Sequence, residues 1–380
     1  MKAITGFLVS YIKRTDHVIW ILCFALSCLS LVLIAGILDT NFTDSLRMTR
    51  RVLFTQSIAT LIGMFFAFIL SLIDYRDLAK LWKLYVPISY LLLMMTFFFG
   101  FGTPERPDDK RWMMVPGINF QFQPAELLRI AFIVVFAYHI FKQRENINHP
   151  LCLAGLLLHG MAPVVLLYFQ GDAGSALIFA AIITSMLFCA GLSWKYVIAA
   201  CALISVSLPI FWHYILSDFQ RQRMLGLYST TEEDIQGIFF QQYRAIIAFA
   251  MGGRGGRGVF NTPHIYVPEM HTDFMFSFLG ESMGFVGCLF VIAAMLVIWF
   301  KILSCARRST DLLGCIICVG VFTMLSFQAI INIGMNISLL PVIGNTLPFL
   351  SYGGSSMLTS YLGIGLVLSV YMHSEKSMFE

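Results

Sequence analysis

The residues best equipped for chemistry sit in one short run, Val267-Pro268-Glu269-Met270-His271-Thr272-Asp273-Phe274, which leads into a long apolar stretch. Carboxylates, an imidazole and a hydroxyl this close together can accept a proton. Asp273 and Glu269 could equally hold a divalent cation of the Mg or Mn type. Ser277 and Glu281 follow Asp273 at four-residue intervals, a spacing that keeps all three on one helix face. Such a stripe on an otherwise apolar helix suits a cavity wall; a helix cap at Thr272 or Asp273 is the plainer alternative.

Other polar groups appear where hydrocarbon would make them costly. Gln121-Phe122-Gln123-Pro124-Ala125-Glu126-Leu127-Leu128-Arg129 opens an apolar run, with Pro124 suited to a first helical turn. Glu126 and Arg129 are spaced to pair with each other or to meet a substrate. Asp172, in Gly171-Asp172-Ala173-Gly174-Ser175, could cap a helix or reach a ligand. Gly252-Gly253-Arg254-Gly255-Gly256-Arg257-Gly258 offers bare amides and two guanidiniums, which suits pyrophosphate or else a hinge. Arg111 and Arg244 are further candidates for the same anion. Ser355 and Ser356 close the Ser351-Tyr352-Gly353-Gly354-Ser355-Ser356 stretch at the mouth of the last apolar run. Gln328, Asn332 and Asn336 repeat every four residues, and hydrogen bonding between helices is the favoured reading.

Composition names the elements that must carry these groups. The chain has 380 residues, 58% hydrophobic and 12% charged, with mean hydropathy +0.79. A soluble domain carries about 25% charged residues. A soluble globule, a disordered chain and a fibrous repeat are therefore excluded, and a polytopic membrane protein is indicated. The net charge of +4 is too mild for a nucleic-acid binder. Nine cysteines, including the C-x-x-C pair Cys315 and Cys318, sit in or beside apolar runs and read as small core hydrophobes.

At roughly 20 apolar residues per crossing, ten spans fit. They lie near 18–38, 52–73, 84–101, 124–141, 151–169, 174–191, 194–216, 274–300, 311–337 and 352–372. The expected fold is an all-α integral membrane protein, one domain over 1–380, with a large loop at 217–273 between helices seven and eight. Lys and Arg concentrate in the short loops on the N-terminal side, which predicts both termini inside the cell and the large loop outside. Within that loop Phe239, Tyr243, Ile246 and Ala250 recur at helical spacing, as in a helix lying at the interface or against the bundle.

Five segments, in this order along ten spans, resemble the SEDS family (shape, elongation, division and sporulation proteins, among them RodA, FtsW and SpoVE). They are Lys110-Arg111-Trp112, Gln123-Pro124-Ala125-Glu126, Pro268 through Phe274, Gln328 through Gly334, and Leu340-Pro341 through Ser356. The Pro341-Val342 pairing leans toward the RodA side. There are departures from the family's pattern. Gly171-Asp172-Ala173-Gly174-Ser175 replaces Pro-Asp-Leu-Gly-Thr, Gly280-Glu281-Ser282 replaces Gly-Glu-Glu, Ala125 stands for Ser, and Arg129 stands where Lys is usual.

The resemblance implies a peptidoglycan glycosyltransferase of the bacterial cytoplasmic membrane, polymerising lipid II beside a class B penicillin-binding protein. Asp273 matches the family's essential acidic residue in the large extracytoplasmic loop, and Glu126 and Asp172 match other functionally sensitive acids. The expected site thus comprises Asp273 as base, with Glu126, Arg129, Asp172, Arg111, Arg244, Arg254, Arg257, Glu269, His271, Thr272, Glu281, Ser355 and Ser356 around the substrate. No organic cofactor is expected. A lipid II flippase and a non-catalytic scaffold for the penicillin-binding protein are the alternatives.

Overall fold

Each long apolar run becomes a helix, because in hydrocarbon every backbone N–H and C=O must be paired within its own segment. The computed structural model describes residues 2–39, 46–102, 110–115, 120–215, 221, 237, 239–261 and 263–374. Much of the first half of the long loop, 217–220 and 222–236, lies outside the described residues. The helices are α1 (Lys2–Arg14), α2 (His17–Asp39), α3 (Leu46–Leu72), α4 (Tyr75–Lys80), α5 (Trp82–Phe99), α6 (Pro124–Lys142) and α7 (Pro150–Phe169). They continue with α8 (Ala173–Cys189), α9 (Trp194–Ile210), α10 (Phe240–Gly252), α11 (Met275–Arg308), α12 (Leu312–Asn336) and α13 (Gly354–Ser374).

Among the described residues nine helices are long and apolar enough to cross a bilayer: α2, α3, α5, α6, α7, α9 with the π-helical turn that continues it (Trp194–Tyr214 together), α11, α12 and α13. The remaining expected span, α8, has 17 residues. The Asp172 cap at its start and a turn through Gly191 (φ 93°) after its end trim it. Helix α1 is an element the hydropathy ruler does not pick out, since its 13 residues cannot cross a bilayer. Tyr11 docks it on α3 by an edge-to-face contact with Phe68 and a 3.0 Å hydrogen bond with Ser71.

The most enclosed helices are α6, α12 and α13, whereas the crossing window of α9 has no buried residue among those described. Small residues let α3 and α13 approach closely. A methyl group built on Gly365 would lie 2.8 Å from the Ala67 backbone, and one on Gly63 would lie 2.9 Å from Tyr361. A hairpin of β1 (Met113–Val115) and β2 (Phe120–Phe122), pairing Met113 with Phe122, leads straight into Gln123 and α6. With the isolated bridge between Phe101 and Trp112, it is the only β-structure among the described residues.

Helix α11 is interrupted at Gly284 (φ 66°, ψ −169°), and the glycine-rich loop repairs the break. The Phe285 and Val286 amides donate to the Gly253 and Arg254 carbonyls at 2.9 and 3.2 Å. In return the Arg257 and Gly258 amides donate to the Glu281 and Ser282 carbonyls, each at 2.9 Å. Four backbone groups that the kink would orphan are thereby satisfied.

Helix α10 packs on α11, with Phe239 of the expected stripe buried just before its start. Gln242, Ala245, Ala248 and Gly252 point inward, while Tyr243, Ile246 and Ala250 are exposed. Small side chains allow the close approach, and Gln242 Nε2 donates to the Met335 and Leu340 carbonyls at 3.2 and 2.8 Å.

Candidate active site

The run from Pro268 to Phe274 folds as a tight turn in front of α11. Glu269, at φ 53°, places its carbonyl to accept the amides of Thr272, Asp273 and Phe274 at 3.2, 3.0 and 3.1 Å. Its carboxylate accepts the Thr272 hydroxyl at 2.9 Å. The Asp273 carbonyl is held from the other side by Asn332 Nδ2 and Asn336 Nδ2, both at 2.9 Å. Asn332 Nδ2 also reaches the Asn345 carbonyl at 2.6 Å, and Asn336 Oδ1 accepts the Ser277 amide at 2.9 Å. That amide belongs to the first turn of α11 and is shared with the Phe274 carbonyl at 3.1 Å.

The Asp273 side chain turns toward the segment before α13. A methyl group built on Gly344 (φ 74°) would lie 3.5 Å from Asp273 Oδ2. The same segment is tied to the turn by Tyr352, whose amide donates to the His271 carbonyl at 2.8 Å and whose ring lies 5.5 Å from the imidazole. Burial pulls the His271 imidazole below its ordinary proton affinity, and the Glu269 carboxylate opposes this in part.

A second polar centre joins α6, α8, α12 and α13. Arg129, 0% exposed, pairs with Glu126 at 3.1 Å and also donates to Gln328 Oε1 at 3.3 Å and Ser175 Oγ at 3.2 Å. Gln328 Nε2 continues to Thr346 Oγ1 at 3.0 Å and Ser356 Oγ at 3.4 Å, and Ser355 Oγ accepts the Gln123 amide at 3.0 Å. Asp172 caps α8 by accepting the Ser175 amide at 3.1 Å. Its other oxygen accepts Gln123 Nε2 at 2.6 Å, and Arg111 lies 3.8 Å away while also donating to the Gly171 carbonyl. The alternatives left open at Asp172 and at Glu126–Arg129 thus include real structural roles: a cap and an enclosed ion pair.

Gln328, Asn332 and Asn336, one turn apart on α12, bridge this centre to Asp273. Gln328 and Asn336 bond neighbouring helices, as the four-residue spacing suggested, whereas Asn332 holds the carbonyls of Asp273 and Asn345 outside them. The consequence for Asp273 is not legible from that spacing. The same holds for Gln123, Gly344 and Tyr352, whose only signal was membership in the quoted motifs.

Other expected site residues fall elsewhere. Ser277 and Glu281 do not line a cavity with Asp273. Asp273 precedes the helix, Ser277 bonds the Phe274 carbonyl, and Glu281 is 0% exposed. Glu281 accepts the Ile265 amide at 3.0 Å and faces Arg257 at 3.2 Å and His264 at 3.3 Å. Arg244 donates to the Tyr266 carbonyl at 2.8 Å, and Arg254 is exposed. Among the described residues no three His, Cys, Asp or Glu side chains converge as a metal cage.

Acidic, amide and guanidinium groups thus gather at one end of an apolar helix bundle: the starts of α6, α8, α11 and α13 and the close of α12. Such a molecule is a multi-pass membrane protein with a polar site at the end of its spans. The chain belongs to the FtsW/RodA/SpoVE family of cell cycle proteins, whose family model matches residues 16–376.

Curated relatives match it along most of its length. It is 32% identical over 378 residues to the probable peptidoglycan glycosyltransferase FtsW of Geobacter metallireducens, covering 94% of this chain and 95% of that one. It is 32% identical over 301 residues to the peptidoglycan glycosyltransferase MrdB of Escherichia coli, covering 77% and 78%. A solved structure titled "Structural coordination of polymerization and crosslinking by a peptidoglycan synthase complex" matches with a TM-score of 0.78 at 28% identity, covering 95% of this chain and 98% of that one.

Proposed function

We propose that this chain is a peptidoglycan glycosyltransferase that polymerises lipid II into β-1,4 glycan strands, with Asp273 as the general base. The activity rests on relatives that carry that name and align along most of the chain. The residue assignment rests on one observation: Asp273 is fixed through its backbone by Asn332 and Asn336, which turns its carboxylate toward the bare backbone of Gly344.

The 4-hydroxyl of one lipid-linked disaccharide attacks C1 of another, and polyprenyl pyrophosphate leaves. An α linkage becomes β, so one inverting displacement suffices. The pyrophosphate departs as a stable anion and needs no protonated carboxyl, unlike the alcohol leaving group of glycoside hydrolysis. The attacking hydroxyl does need a base, and a positioned carboxylate supplies about 10²–10⁴-fold. Asp273 takes that proton, flanked by Thr272 and a neutral His271.

Arg111, beside Asp172, neutralises the leaving pyrophosphate. Glu126, Arg129, Ser355 and Ser356 hold the wall on the substrate side, and Glu281 anchors the loop that ends in Asp273. A Mg or Mn ion held by Asp273 and Glu269 would draw its remaining ligands from the pyrophosphate and share its charge.

Counting α8 gives ten spans with both termini on one face. The Lys and Arg excess of the short loops on that face supports N-in, C-in orientation in the bacterial cytoplasmic membrane. The site then meets lipid-linked sugars at the outer headgroups. Similarity to a structure of a peptidoglycan synthase complex supports a class B penicillin-binding protein as partner.

The test is purified Asp273→Asn protein with lipid II in detergent. Folded protein that makes no glycan chains is expected; polymer at the wild-type level would remove Asp273 from the role. Detergent holds no compartments, so polymer formed there by the wild type also argues against a flippase. Its dependence on Asp273 argues against a scaffold.

A further inference from the structure

Four thiols gather at the end of the bundle away from Asp273, in a place the proposed reaction does not use. Cys189 closes α8, Cys305 lies near the end of α11, and Cys315 and Cys318 lie on the first two turns of α12. Cys315 is about 30 Å along α12 from Asn336 at 1.5 Å per residue. The thiols meet in two pairs, Cys189 with Cys315 at 3.6 Å and Cys305 with Cys318 at 3.7 Å between sulfurs.

The separations are alike and the surroundings are not. Cys305 and Cys318 are buried, whereas Cys189 and Cys315 are both partly exposed. Cys315 also stands in the first turn of a helix, where unpaired amides favour a thiolate. The Asp311 carboxylate at that helix start would oppose this, but it is engaged by the Gly314 amide at 2.8 Å, Arg76 at 2.6 Å and Tyr75 at 2.9 Å.

We propose that Cys189 and Cys315 form a peroxide-responsive thiol–disulfide site that joins α8 to α12. The Cys315 thiolate attacks one oxygen of hydrogen peroxide, the O–O bond breaks, and the departing hydroxide takes a proton to become water. Cys315 is left as a sulfenic acid. The Cys189 thiol then attacks that sulfur. The S–S bond forms, the S–O bond breaks, and a second water leaves with the Cys189 proton. Two thiols are oxidised and one peroxide is reduced to two waters. Closing the pair from 3.6 Å to the bonded distance of about 2.05 Å asks for side-chain rotation and a small helix shift. In the N-in orientation the pair faces a compartment that keeps thiols reduced, so the bond forms under oxidant and a dithiol reverses it. The bond would tether the far ends of the two helices that carry Asp172 and the Asn332–Asn336 amides.

The full chain in detergent, treated with stoichiometric hydrogen peroxide, unfolded, alkylated and digested, provides the test. A peptide pair linking Cys189 to Cys315 is expected, lighter by two hydrogens, and lost after dithiothreitol. Cys189→Ser should leave a sulfenic acid on Cys315 that dimedone traps, and Cys315→Ser should give neither product. Cys305 and Cys318 should remain fully alkylated. The proposal is overturned if Cys189 and Cys315 stay reduced while the exposed Cys28 and Cys201 oxidise. A Cys305–Cys318 link in place of the first, or links only between chains, would overturn it too.

Discussion

Asn336 grips Asp273 from behind. Its Nδ2 donates to the Asp273 carbonyl at 2.9 Å while its Oδ1 accepts the Ser277 amide at 2.9 Å, so one fully buried amide spans the junction between the catalytic turn and α11. Asn336→Ala removes both bonds, leaving the Asp273 carbonyl to Asn332 alone and the Ser277 amide to the Phe274 carbonyl, a loss of about 0.5–1.5 kcal/mol for each bond. A misplaced base also slows chemistry, and an error near 1 Å can cost about 10²-fold. The expected result is a lower melting temperature and a kcat reduced about 10–100-fold, with KM nearly unchanged. Asn336→Asp keeps the acceptor and loses the donor, so it should fall between the two. Thermal unfolding and initial rates with lipid II check both readouts.

The Glu126–Arg129 pair should behave as an enclosed charge network, not as a surface salt bridge. Glu126→Ala leaves the guanidinium buried without its carboxylate, a loss of about 3–5 kcal/mol. Glu126→Ala with Arg129→Met removes both charges and should recover most of it. Arg129→Lys keeps the charge, but one ammonium lacks the planar fork that serves Glu126, Gln328 and Ser175 together. Its expected loss is smaller, about 1–2 kcal/mol by the lost charged hydrogen bonds. Unfolding curves of the four proteins in one detergent order these outcomes.

What the sequence reveals follows from which forces leave a periodic trace. Apolar runs of crossing length announce helices directly; α8 falls short of that length, and α9 reaches it only with the π-helical turn that follows it. Side-chain direction is less legible. Asp273, Ser277 and Glu281 keep helical spacing, yet Asp273 stands in the turn before α11, and Glu281 faces the loop at Arg257, His264 and Ile265. Nothing in the spacing of Gln328, Asn332 and Asn336 tells whether they meet a neighbouring helix or a catalytic backbone. That depends on which turn lies beside α12, a tertiary fact. The glycine run is ambiguous for a related reason. Bare amides suited to an anion are equally suited to a broken helix, and two of them, at Arg257 and Gly258, serve α11.

His271 predicts a pH dependence of stability. Burial lowers its proton affinity in the folded protein, so between the folded value and the ordinary value near 6.5 the unfolded chain binds more protons. Stability from this residue is therefore present above about pH 6.5 and is lost as pH falls below it. Melting temperatures from pH 8 down to 5 should decline at the acid end, and His271→Gln should flatten that decline. A variant curve as steep as the wild type would assign the acid sensitivity to other groups.

Two neighbouring glycines separate the splint from an anion cradle. Gly256 adopts φ 80° and faces the Ser282 carbonyl and Met283 backbone, whereas a methyl group on Gly255 would meet nothing within 4 Å. Gly256→Ala forces a side chain into a left-handed conformation, at about 1–2 kcal/mol, and against fixed backbone as well. It should lower the melting temperature and speed hydrogen exchange at Phe285 and Val286, whose amides depend on the loop carbonyls. Gly255→Ala should stay within about 0.5 kcal/mol of the wild type, as surface substitutions do. If both variants instead kept full stability and lost polymerisation alike, the loop would be holding the substrate's phosphates and not the helix.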